Sequence, residues 1–89
     1  MLIAIFAKDK PGHQQVRLNN REAHIEYLKS TGVVSQAGPL LNGKEEMIGS
    51  LIILDVEDMD AAAAWVDGDP YGKADLFAET RMVRWKKVI

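Results

Sequence analysis

Residues 47–56 read "MIGSLIILDV", the clearest strand in the chain. Successive side chains of a strand point to opposite faces. Ile48, Ser50, Ile52, Leu54 and Val56 therefore share one face, and Leu51 and Ile53 lie on the other. Both faces are largely apolar. A sheet with one wet face would alternate apolar with polar, so this strand is expected to be covered on both sides.

The flanking segments organise around it. "NGKEE" (42–46) is a hairpin connection, and "VVSQAGPLL" (33–41) before it is a strand bent or ended by Gly38-Pro39. Leu2 to Ala7 is a short apolar run consistent with a buried central strand, and "KDKPG" (8–12) breaks it. From about His13 to Ser30 the spacing is helical, with Val16, Ala23 and Tyr27 on one side. With Val16 at the origin and about 100° per residue, Tyr27 falls near 20°, His24 near 80°, Arg17 near 100°, Leu28 near 120° and Arg21 near 140°. His24 thus lies inside the apolar arc. Gly32 is the expected stop. On the other side of the central stretch, Asp58 or Asp60 caps a second helix through "AAAAWV" (61–66), anchored by Trp65. Gly68 is expected to stop it and Pro70 to prevent its continuation. "ETRMVRWKKVI" (79–89) closes the chain as a strand in which Val83, Trp85 and Ile89 share a face.

The order is β-α-β-β-α-β over a single domain, residues 1–89. This predicts an α+β, ferredoxin-like fold: an antiparallel four-stranded sheet with both helices on one face. A chain of 89 residues has a thin core on its own. The apolar outer sheet face therefore predicts a homodimer with two sheets packed face to face.

Composition narrows the function. Hydrophobic residues are 47% and charged residues 27%, as in ordinary globular domains. The formal net charge is −2, and nucleic-acid binding needs clustered Lys and Arg, so nucleic acid is not the expected partner. RNA-recognition modules share this element order, but "GSLIILDV" lacks their stacking aromatics. There is no cysteine, so disulfides and thiolate metal sites are excluded. The start has no basic n-region and no stretch is long enough to span a membrane, which makes the cytoplasm the expected location.

Two residues stand out chemically. His24, inside the apolar arc, is either an inert, hydrogen-bonded core histidine or a general acid or base, since imidazole titrates near neutral pH. Arg21, one turn earlier, could hold an anionic substrate. In "DGDPYGKAD" (67–75), Asp69 is either ordinary turn chemistry before proline or a carboxylate held rigidly by Pro70, with Tyr71 beside it as a hydroxyl donor. If Asp69 reaches His24 it would orient the ring. Asp67 and Asp75 are expected to be solvated and His13 exposed. Ser50 is a pocket lining or a satisfied core hydroxyl. The histidines are 11 apart, so no local metal-ligand pattern exists. Neither a GxSxG nucleophile elbow nor a GxGxxG dinucleotide loop occurs, and no cofactor is expected.

"REAHIEYL" (21–28), "AGPL" (37–40), "GSLIILDV" (49–56), "AAAAWVDGDPY" (61–71) and "VRWKKVI" (83–89) together resemble the YCII-related (YciI-like) family, in order and over nearly the whole chain. The resemblance implies a dimeric α+β barrel and an active site on a His–Asp pair, here His24 and Asp69. By fold it also implies kinship with muconolactone isomerase and small monooxygenases. The expected function is a small cofactor-free enzyme performing an isomerase, lyase or dehydrohalogenase-like proton transfer on a small anionic metabolite, aromatic ones included. Arg21, Tyr71 and Ser50 would bind the substrate. A non-catalytic metabolite-binding or regulatory module is the alternative, and an oligomerisation domain with a structural His–Asp contact a third. One departure from the family pattern stands at Asp75, where the family usually has glycine; loop shape and pocket charge are expected to differ there.

Overall fold

The computed structural model describes residues 1–89. The elements are β1 (Leu2–Asp9), α1 (Gln14–Ser30), β2 (Val34–Leu41), β3 (Met47–Asp55), α2 (Met59–Gly68), α3 (Pro70–Lys73) and β4 (Phe77–Trp85). The four strands form one antiparallel sheet in the order β2-β3-β1-β4. This is the ferredoxin-like α+β arrangement.

Register puts the apolar residues where alternation predicts. Ile3 pairs with Leu54 and Ile5 with Ile52. These four side chains, with Ala62 and Trp65 of α2, make the core under the helices. Tyr27 and Leu28 of α1 and Met82 of β4 pack against it. The intervening residues turn outward: Phe6, Val83 and Trp85 are 44%, 45% and 40% exposed on the helix-free face.

Several expectations are corrected. The sequence angles placed Val16, Ala23 and Tyr27 on one side of α1 and His24 inside the apolar arc. His24 is buried and Tyr27 packs against the core, but Arg17 is buried as well and Ala23 is exposed. Two ionisable groups occupy the centre of the face because each has a buried partner, which a hydrophobicity count does not see. β2 runs through Gly38-Pro39 without ending. It is an edge strand, where proline's missing N–H costs no internal ladder bond. The last strand stops at Trp85, so Lys86, Lys87 and Ile89 lie beyond it and Ile89 shares no face with Val83. Ile48, grouped with the buried face of β3, is 41% exposed near the strand's start.

The end of α2 differs most. Pro70 does not merely block α2; it opens the separate four-residue helix α3, at a position where its fixed φ suits a first turn. Asp69 is both the last cap of α2 and the N-cap of α3, and its side chain accepts the Tyr71 N–H. Gly68 does not take a left-handed conformation. It serves close approach, because a Cβ there would run into the Tyr27 hydroxyl. Gly32 (φ 70°), by contrast, follows α1 in the left-handed region as expected. Asp58, of the two capping candidates, caps α2 by accepting the Ala61 N–H at 2.8 Å.

Candidate active site

Four elements converge at one end of the helix layer. The end of β1 supplies Asp9, α1 supplies Arg17, Arg21 and His24, β3 supplies Ser50, and the α2–α3 junction supplies Asp69 and Tyr71. His24 and Asp69, 45 residues apart in sequence, meet with Nδ1 2.7 Å from Oδ1. Both are buried, at 6% and 1% exposure. A carboxylate only accepts, so the shared proton belongs on Nδ1. The same Oδ1 accepts the Tyr71 backbone N–H at 3.0 Å. Asp69 is therefore fixed by α3 before it fixes the imidazole.

Every fully enclosed side-chain nitrogen or oxygen in the protein has a hydrogen-bond partner. His24 Nε2 has no protein partner, so that atom reaches open space, and the Tyr71 hydroxyl lies beside the Arg17 guanidinium. That space is a cavity of about 210 Å³ between α1, β2 and β3. Its polar wall holds Arg17, Arg21, His24, Ser50 and Tyr71, and Ile25, Leu28, Pro39 and Met47 form the apolar side. At about 30 Å³ per water molecule this is room for about seven waters, the size of a single substituted ring.

The polar wall is stacked and braced. The Tyr71 ring lies on the His24 imidazole, with centroids 3.8 Å apart and planes 12° apart. The Arg17 guanidinium carbon lies 4.6 Å from the Tyr71 ring centroid. Arg17 itself is buried and forked onto Asp9, with Nε to Oδ2 at 2.7 Å and Nη2 to Oδ1 at 2.9 Å. Nη2 also donates to Ser50 Oγ at 2.9 Å. Burial alone would lower the Arg17 pKa, but the hydrogen bond and charge of Asp9 more than offset it, and the guanidinium is held above its ordinary value. Burial pushes the Tyr71 phenol up, against a partial downward pull from Arg17 and Arg21. At neutral pH Tyr71 is therefore a hydroxyl donor.

The five residues singled out in the sequence, His24, Asp69, Arg21, Tyr71 and Ser50, come together here. Four line the cavity, and Asp69 stands behind His24. Asp9 and Arg17 were missed. A signal existed: Arg17 is two turns before His24 on the same helical face, and a buried arginine requires an acid. Asp75 is exposed and does not line the cavity. It has φ 59°, the backbone region that favours glycine, and its carboxylate pairs with Lys10 at 2.6 Å. Asp67 is exposed, and His13 is half-buried outside the cavity with Nδ1 3.0 Å from the Pro11 carbonyl. No group of three or more His, Cys, Asp or Glu side chains is arranged to hold a metal ion. No helix is long and apolar enough to cross a membrane.

Comparison with known proteins places this geometry. The chain is 34% identical to Protein YciI of Escherichia coli O6:H1 over 97 aligned positions, covering 99% of each protein. It is 39% identical to the 5-chloro-2-hydroxyhydroquinone dehydrochlorinase TftG of Burkholderia phenoliruptrix AC1100, with a TM-score of 0.90 over 97% of this chain and 94% of that one. That enzyme was solved in complex with 2,5-dihydroxybenzoquinone. An antibiotic biosynthesis monooxygenase at 14% identity and TM-score 0.62, covering 100% of both chains, shares the fold alone. The pattern of the YCII-related domain matches residues 1–86, and the chain belongs to the YCII-related family.

Proposed function

We propose that the protein is a small acid–base enzyme that moves a proton on an oxygen-rich, anionic, single-ring metabolite, with His24 as the base and Asp69 as its orienter. One observation carries this reading: Nδ1 of His24 is engaged by a buried carboxylate while Nε2 is left at a cavity of single-ring size. A core histidine would have both nitrogens satisfied or walled in.

His24 Nε2 takes a proton from a ring hydroxyl or an acidic C–H, and the released electron pair enters the ring. Where the proton returns to a ring carbon that bears a leaving group X, that carbon becomes sp³; loss of a second hydroxyl proton to His24 then expels X⁻ with its bonding pair, and the net change is loss of HX, as chloride for a chlorinated ring. Without a leaving group, return of the proton at another atom gives an isomerisation. Asp69 stabilises the imidazolium formed in the first step. The remaining wall consists of donors: Arg21 at the mouth, and the hydroxyls of Tyr71 and Ser50. These suit the oxygens where negative charge develops. The step requires only proton movement, and a positioned base contributes about 10²–10⁴-fold. Similarity to a dehydrochlorinase of hydroxylated rings supports the substrate class.

The working unit in this reading is a homodimer that buries the outer sheet face, where Phe6, Val83 and Trp85 are exposed. The ligand is a small molecule; a net charge of −2 does not suit nucleic acid.

The test is turnover of 5-chloro-2-hydroxyhydroquinone, read as chloride release, by the wild type and His24→Ala. Release that falls at least about 10²-fold in the variant supports the assignment. Equal release by both would overturn it. Binding of 2,5-dihydroxybenzoquinone with no turnover of any hydroxylated ring would favour a metabolite-binding module.

A further inference from the structure

The mechanism above leaves one buried ion pair unused. Asp9 and Arg17 are 8% and 3% exposed and make a two-bond fork away from His24. A buried pair of this kind is weak support for stability, because desolvation offsets most of the Coulomb gain. Its geometry has a different consequence, at Ser50.

A serine hydroxyl has one proton to donate and two lone pairs. Arg17 has only donors. The Nη2–Ser50 contact at 2.9 Å therefore uses a lone pair of Oγ and cannot use its proton. No protein acceptor takes that proton, although Ser50 is only 2% exposed. Ser50 lines the same cavity as His24 and Tyr71. Its O–H is thus free to donate to whatever occupies the cavity. Asp9 holds Arg17 by two bonds, which fixes the guanidinium edge that meets Ser50.

We propose that Asp9 and Arg17 are positioning residues that make Ser50 a one-way hydrogen-bond donor to an ionised ring oxygen of the substrate. The pocket then discriminates between a ring carrying an oxyanion and the same ring with that oxygen alkylated. This rests on the reading of the cavity as a site for small oxygenated rings. An oxyanion accepts a strong bond from Ser50, whereas an ether oxygen is a weaker acceptor and brings a methyl group against the same wall. Arg21 and Tyr71 add to the attraction; the Arg17 guanidinium also lies against the Tyr71 ring, so Ser50→Ala, which leaves that contact in place, isolates the serine's share.

The experiment compares dissociation constants for 2,5-dihydroxybenzoquinone, a vinylogous acid ionised at neutral pH, and 2,5-dimethoxybenzoquinone. The proteins are the full-length wild type, Ser50→Ala, Ser50→Thr and Asp9→Asn. The wild type should prefer the dihydroxy ligand. Ser50→Ala should weaken that ligand about 10- to 100-fold and the dimethoxy ligand much less, so that the preference collapses. Ser50→Thr keeps the hydroxyl and should retain the preference. Asp9→Asn should reduce it in the same direction as Ser50→Ala. In Ser50→Ala, Arg17 keeps both bonds to Asp9, so this variant carries the test even where Asp9→Asn fails to fold. An unchanged preference in Ser50→Ala, or an equal loss for both ligands, overturns the proposal and leaves the acid–base reading intact. Wild-type protein that binds neither quinone overturns both.

Discussion

Replacing Asp69 by Asn separates the two tasks of this carboxylate. Oδ1 accepts from His24 Nδ1 at 2.7 Å and from the Tyr71 N–H at 3.0 Å. An asparagine carbonyl can accept both bonds, and Asn and Asp are equally good N-caps. The fold of the α2–α3 junction should survive, with Tm within about 4 °C of wild type, equivalent to less than about 1 kcal/mol in a domain of this size. The charge is lost, however. When His24 takes a proton, the imidazolium no longer faces an anion. Two unit charges about 4 Å apart interact by about 4 kcal/mol at an effective dielectric near 20, which is about 10³-fold in rate. Chloride release from 5-chloro-2-hydroxyhydroquinone should fall by about that factor. A second readout needs no substrate: ¹⁵N shifts of the imidazole should show Nδ1 protonated and Nε2 free in the wild type. Asp69→Ala is the contrast. It leaves His24 Nδ1 and the Tyr71 N–H without their acceptor, at about 1–3 kcal/mol each, and should lower Tm markedly. Turnover in Asp69→Asn within about threefold of wild type, or a wild-type ring proton found on Nε2, would reduce Asp69 to a helix cap and remove the base–orienter pair.

Four further outcomes are expected. Tyr27 Oη donates to the Trp65 carbonyl at 2.7 Å, so Tyr27→Phe should cost about 1 kcal/mol, about 4–8 °C in Tm. Gly68→Ala should destabilise the wild type more than Tyr27→Phe protein, because the added Cβ meets that hydroxyl; equal effects in a double-mutant cycle would refute the contact. Asp75 is strained at φ 59° but paired with Lys10, whose hydrogen bond and charge hold the carboxyl below its ordinary value of 3.8. Because the folded-state pKa is depressed, the pair's stabilisation is present above about pH 4 and lost as pH falls through the lowered value. Asp75→Gly should therefore raise Tm more at pH 2.5–3 than at pH 7, a difference that thermal melts at both pH values would show. Finally, Val83→Lys on the open sheet face should convert a dimer to monomer by light scattering; a wild-type monomer in solution would count against dimerisation through that face.

Much of this was readable from local pattern. The two-residue alternation in Met47–Asp55 and the apolar run in β1 predict a strand pair, and the observed register sets Ile3 against Leu54 and Ile5 against Ile52. The β-α-β-β-α-β order then leaves few ways to cover one face with two helices. His24 was legible as an ionisable group inside an apolar arc, and Asp69 as an acid clamped before proline. Arg17 falls at about 100°, between His24 and Leu28, but was not singled out because a buried guanidinium needs a partner that the helix itself does not show. Only its partners, eight residues back on β1 and 33 residues on in β3, make its burial tolerable. Helix α3 was missed for a similar reason: Pro70 carries one meaning as a stop for α2 and another as a start, and the chain's packing selects between them.

The sequence by itself determined the four strands, the two longer helices, their order and most of the chemically able side chains, because strand alternation, helix capping and proline geometry act over a few residues. Tertiary structure alone decided which of those side chains touch. A 2.7 Å contact between residues 24 and 69 depends on how two helices pack on a twisted sheet, and hydrogen-bond strength falls steeply over less than an ångström. No pattern read along the chain carries that resolution.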